Sequence, residues 1–135
     1  MKHIATLAVA ALAMALPAQA ATVDDFVGKW GLASYFVDKD AAQTELAARA
    51  QCHTPYVIAK GPGGGVMLHL PDETHTSEMQ VKTSFSASYI GPKGEAGGPM
   101  DREILRSDKQ SLVLKWIDPA VGKRYGIMVF VRCGP

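Results

Sequence analysis

The chain has 135 residues, of which 47% are hydrophobic and 20% charged, with a formal net charge of +1. Once an export leader is set aside, the basic and acidic residues balance, so no charge excess draws the chain to nucleic acid or an anionic membrane. The 115 residues that remain are enough for one domain with a modest core.

The leader is read from its order. Met1-Lys2-His3 is a short basic start, Ile4 to Leu16 is apolar apart from Thr6, and Pro17 precedes Ala18-Gln19-Ala20, a small-residue cleavage signal. This predicts a secretory signal peptide over residues 1–20 and a periplasmic or secreted domain over 21–135. The apolar run is too short to cross a bilayer comfortably, and no later stretch is long enough. No integral membrane segment is therefore expected after cleavage.

The first strand is expected around Val27 to Phe36. Phe26, Gly28, Trp30, Leu32, Ser34 and Phe36 recur at the period of two that a half-buried strand needs. Trp30, at its centre, is expected to fill the core. Asp38 to Ala50 follows as a helix rich in alanine and straight side chains. Asp40 and Gln43 have the spacing of a capping box, and Ala42, Leu46 and Ala50 would form a narrow stripe lying on the domain.

The two cysteines, Cys52 and Cys133, both fall in the exported part. An oxidising compartment predicts a disulfide between them. The bridge would close a loop of about 80 residues, worth about 4 kcal/mol in the chain-entropy description.

From Tyr56 onward the pattern is strands and turns. Tyr56–Lys60 and Val66–Leu70 flank the glycine-rich turn 61–65 as a hairpin. Met79, Val81, Thr83 and Phe85 alternate with polar residues, and Ser88–Ile90 forms a short strand. Gly91 to Asp101 is a long loop rich in glycine and proline. Arg102–Ser107 is expected as a charged, edge-like strand, and Ser111–Ile117 as the next. Asp118 to Gly122 is expected to turn. In the last strand Tyr125, Ile127, Val129, Val131 and Cys133 would face inward. About eight antiparallel strands with one helix after the first predict a mainly β fold, either a small barrel or a half-open sandwich.

No catalytic set stands out. There is no G-x-S-x-G nucleophile elbow among the serines and His53, His69 and His75. Asp24-Asp25, Asp72-Glu73 and Asp101/Glu103 fall in turns or exposed alternation. Cys52-His53, Met67/His69 and His75/Met79 offer copper-suited donors, but a disulfide would consume Cys52, and no metal site is assigned. The glycine-rich turn lacks the Gly-Lys-Ser/Thr ending of a phosphate loop and leads into a strand. No cofactor and no nucleic acid are expected.

Two candidate sites remain. One is the Gly91–Asp101 loop with its flanks, where Tyr89, Lys93, Glu95, Asp101 and Arg102 could meet a partner. The other is a barrel cavity lined by Trp30, Trp116 and Ile127.

Gly28-Lys29-Trp30 on a first strand resembles the G-x-W signature of lipocalin-like barrels. With the leader, the mature length, the early tryptophan and one disulfide, the plan is similar to exported bacterial metalloprotease inhibitors, themselves small lipocalin-like barrels. The chain departs from them in placing its helix after strand one. The resemblance implies an arginine packed over the tryptophan from the barrel end. Arg132 is the candidate, although the alternation above places it opposite Val131 and Cys133. Ser86-Ala87-Ser88-Tyr89 and Lys93-Gly94-Glu95-Ala96 also resemble small lysozyme-inhibitor barrels, with a different spacing.

These readings lead to a non-enzymatic binding module for a small apolar ligand or a protein partner. The alternatives are an inhibitor of a secreted or lytic hydrolase and an accessory envelope protein without a pocket.

Overall fold

The computed structural model describes residues 20–134. The expected leader therefore lies, apart from Ala20, outside the described residues. No helix among the described residues is long and apolar enough to cross a membrane.

The described residues form eight strands: β1 (Gly28–Tyr35), β2 (Tyr56–Lys60), β3 (Val66–Leu68), β4 (Ser77–Thr83), β5 (Ser88–Gly91), β6 (Arg102–Ser107), β7 (Ser111–Trp116) and β8 (Ile127–Arg132). Each pairs antiparallel with the next, and β8 pairs with β1 to close a barrel. Of the two expected architectures, the closed barrel is the one formed. Closure leaves no edge strand, so β6, expected at an edge, is paired on both sides by β5 and β7.

Among the described residues three α-helices accompany the strands: α1 (Val23–Phe26), α2 (Ala41–Ala50) and α3 (Pro119–Tyr125). In α1 the Asp25 carboxylate accepts from the Thr22 amide at 2.8 Å, and Phe26 is buried at one end of the barrel. The helix after β1 is present, but its buried stripe is Thr44 and Ala48, while Leu46 is 62% exposed. Gly31 explains how closely α2 lies on β1. Any Cβ there would collide with the Ala48 carbonyl.

The interior is filled by Phe26, Trp30, Ile58, Val66, Leu68, Ile90, Leu112, Leu114, Met128 and Phe130, all nearly inaccessible. The inward face of β8 differs from the expectation. Met128 and Phe130 point into the barrel, while Val129 and Val131 pack on Ala48 from outside. Because α2 covers the outer wall, β8 is apolar on both faces, and alternation alone cannot choose between them.

Asp118 to Gly122, expected to turn, instead begins α3. The Asp118 side chain caps it by accepting from the Ala120 amide at 2.8 Å, with Pro119 at the first helical position. Cys52 and Cys133 form the expected disulfide, with their Cα atoms 5.5 Å apart. It joins the chain just after α2 to the end of β8.

Candidate functional site

Two features stand out: an ordered loop on the outer wall, and an arginine–tryptophan pair at each end of the barrel.

The Gly91–Asp101 loop is built on one ion pair. Lys82 on β4 lies opposite Tyr89 on β5, and its Nζ is 2.6 Å from Asp101 Oδ1. The two side chains are only 12% and 2% exposed. The same ammonium donates to the carbonyls of Pro92 (2.8 Å) and Glu95 (3.2 Å). Asp101 Oδ2 accepts from the amides of Gly97 (2.9 Å) and Gly98 (3.3 Å). Gly91 is glycine for contact reasons, since a Cβ there would collide with the Asp101 carboxylate. Gly97 has a φ of +86° and sits against the Tyr89 ring. The loop is thus folded over the outer wall, with Lys93 and Glu95 exposed.

The five proposed contact residues therefore occupy three environments. Lys93 and Glu95 are on the surface, Tyr89 is half-buried beneath the loop, and Asp101 and Arg102 are buried. The sequence does not single out Lys82, which organises the loop. Its only signal there is a lysine on an alternating strand, which is also the signature of a solvated face.

Of the three cavity residues, Trp116 and Ile127 come together and Trp30 lies apart. Trp30 is buried at the α1 end, with its ring edge-on to Phe130 and its Nε1–H donating to the Phe26 carbonyl at 2.8 Å. Trp116, at the far end of β7, packs against Tyr125 with ring centroids 6.0 Å apart. Ile127 and Trp116 line an open external groove of about 550 Å³ with Tyr35, Phe36 and Lys123.

Each tryptophan carries an arginine. Arg132 lies over Trp30 with its Cζ 4.1 Å from the ring centroid, and Arg102 lies over Trp116 at 4.2 Å. Trp30 and Arg132 are direct cross-strand neighbours on β1 and β8, which places Arg132 on the tryptophan's side. Arg102 pairs with Trp116 on β7 and Ile90 on β5, so its side chain enters the barrel. Burial pushes its pKa down to about 10.

The Arg102 end is covered by α3, with Val121 and Tyr125 packed on the core. Outside, Asp72 holds α3 down. Its carboxylate accepts from Arg124 at 2.7 Å and from the Tyr125 hydroxyl at 3.1 Å. Within the barrel, the Tyr56 hydroxyl donates to the His69 carbonyl (2.5 Å) and accepts from the His69 amide (2.8 Å), and its ring stacks on the His69 imidazole. Among the described residues, no three His, Cys, Asp or Glu side chains gather as a metal site would require.

Comparison with known proteins finds no family model, no curated protein and no solved structure that this chain matches.

Proposed function

We propose that this chain is a non-enzymatic, exported binding module that recognises a protein partner through the loop face of its barrel. The observation that carries this reading is the Lys82–Asp101 pair beneath the Gly91–Asp101 loop. A buried ion pair is seldom retained for stability alone, because desolvation offsets its attraction. Here it holds an eleven-residue loop in one shape, with Lys93 and Glu95 presented outward. A preorganised loop loses little conformational entropy when it binds. The filled interior supports the same reading over a wide ligand cavity.

The finer identity we infer is a lipocalin-like barrel on the plan of the exported hydrolase inhibitors. Gly28 and Trp30 on β1, with Arg132 over Trp30, are the arrangement that likeness implies. On this second reading the partner is a secreted or lytic hydrolase.

The test is affinity capture of envelope and secreted proteins by the wild type and by the charge-reversed variant K93E/E95K. Both sites are exposed, so the variant retains the barrel's circular dichroism. A partner held by the wild type and lost from the variant supports the loop surface. Identical capture by both overturns it. Titration of the protein against secreted proteases and lysozyme then checks for stoichiometric inhibition.

A further inference from the structure

The two ends of the barrel are alike in construction and unlike in completion. At the α1 end, Arg132 donates through Nε to the Lys109 carbonyl (2.7 Å), through Nη1 to the Val27 carbonyl (2.9 Å) and through Nη2 to the Asp25 carbonyl (3.2 Å). Its charge is spread over three carbonyl dipoles. At the α3 end, Arg102 is 4% exposed, and no described residue accepts a hydrogen bond from its guanidinium.

The groups that could satisfy Arg102 are committed elsewhere. Asp101, its neighbour in sequence, faces Lys82 on the outer wall. The Tyr56 hydroxyl serves the His69 backbone, and the Tyr125 hydroxyl is turned outward to Asp72. Beneath the guanidinium, the Trp116 Nε1–H is buried without an acceptor. Two adjacent donors, one cationic and the other buried without an acceptor, are thus held together at this end of the barrel. Such groups are expensive to leave unpaired, and their shared need is an anion with two oxygens.

We propose that the α3 end of the barrel is a carboxylate-binding site, in which the free edge of Arg102 and the Trp116 Nε1–H donate to the carboxylate oxygens. A guanidinium edge matches a carboxylate in a way that a point charge does not. The compact apolar body of the ligand packs against Trp116, Tyr125, Val121 and Leu70, the side chains that close this end. The ligand enters as α3 parts from Asp72, the exposed contact that ties helix to loop. This site is separate from the loop surface of the preceding section and stands or falls independently of it.

The test is titration of the ¹⁵N-labelled protein with sodium benzoate, followed at the two tryptophan indole N–H resonances and assigned with W116F. Benzamide serves as the uncharged isostere, sodium phosphate as a second anion, and sodium chloride matches ionic strength. The expected result is a saturable downfield shift of the Trp116 resonance with benzoate alone. The Trp30 resonance, already bonded to the Phe26 carbonyl, stays in place. R102M should fold, since it removes an unpaired buried charge, and should weaken benzoate binding at least tenfold. R102K keeps the charge without the fork and should also weaken it. A Trp116 resonance that does not move saturably in the wild type overturns the proposal, whether or not R102M folds. Equal responses to benzoate and benzamide, or to phosphate alone, overturn the carboxylate assignment. Unchanged benzoate affinity in R102M or R102K removes Arg102 from it.

Discussion

Arg132 fastens the start of the barrel to its end by lying over Trp30 while donating to the Val27 and Asp25 carbonyls just before β1. The contact joins residues more than a hundred positions apart in the chain. R132M keeps an apolar stem over the indole but strands three carbonyls. It should lower stability by about 3 kcal/mol, as charge-assisted hydrogen bonds are lost. R132K should fall between, because an ammonium cannot reach the same carbonyls as a planar fork. Urea denaturation midpoints at unchanged slope check both.

Gly31 faces the backbone of α2, and a methyl group has no room there. G31A should cost about 2 kcal/mol by pushing α2 off the β1–β8 wall. G134A is the control, since nothing lies within 4 Å of a Cβ built at Gly134. Equal denaturation midpoints for the two variants would contradict close packing at Gly31.

Lys82 neutralises a carboxylate that is 2% exposed. K82M should destabilise the barrel by about 3 kcal/mol, because the Asp101 charge is left without its partner. K82M/D101N should lose less than K82M alone, since an asparagine oxygen still accepts from Gly97 and Gly98. A double-mutant cycle measures the coupling.

Asp72 has its pKa lowered chiefly by the Arg124 hydrogen bond; desolvation opposes this, and the Tyr125 hydroxyl lowers it further. A carboxyl depressed in the folded state favours the clasp above its ordinary value of 3.8, and that contribution fades as pH falls through the depressed value. Glu73 and Arg124 are the other charges facing this contact. Acidification from about pH 5 to pH 2 should loosen α3, read as a change in the Trp116 indole resonance beside Tyr125. D72N should show the loosened signal at neutral pH and no further acid transition there. Asp108, also depressed, lies on another turn, where the Gln110 amide is the chief cause, so D72N isolates the clasp.

The disulfide spans 81 positions. Its removal by reduction, or in C52A/C133A, should cost about 4 kcal/mol. Matched urea curves of the oxidised and reduced protein measure this, and coincident curves would contradict a structural role.

Most of the barrel was legible because alternation at a period of two is a local signal. β1, β2, β5 and the Cys52–Cys133 pair needed little more than pattern and compartment. Where a second layer covers a strand, the signal fails. Val129 and Val131 are as apolar as Met128 and Phe130, and only the position of α2 separates them. α3 was hidden for a different reason. Asp-Pro opens turns and helices alike, and the basic pair Lys123-Arg124 in its last turn was the overlooked helix signal. The candidate site was least legible. A charged strand normally implies solvent, so Arg102 reads as exposed until the closure of the sheet turns it inward.

That closure, together with the single bridge, has a consequence for how the chain responds to proteolysis. Every connection from β2 to β8, including the Gly91–Asp101 loop, lies between Cys52 and Cys133. One cut in any of them leaves two fragments still covalently joined and still interlocked through a continuous ring of strands. The loop can therefore be nicked without being shed, and a cleaved molecule can persist beside whatever cleaved it.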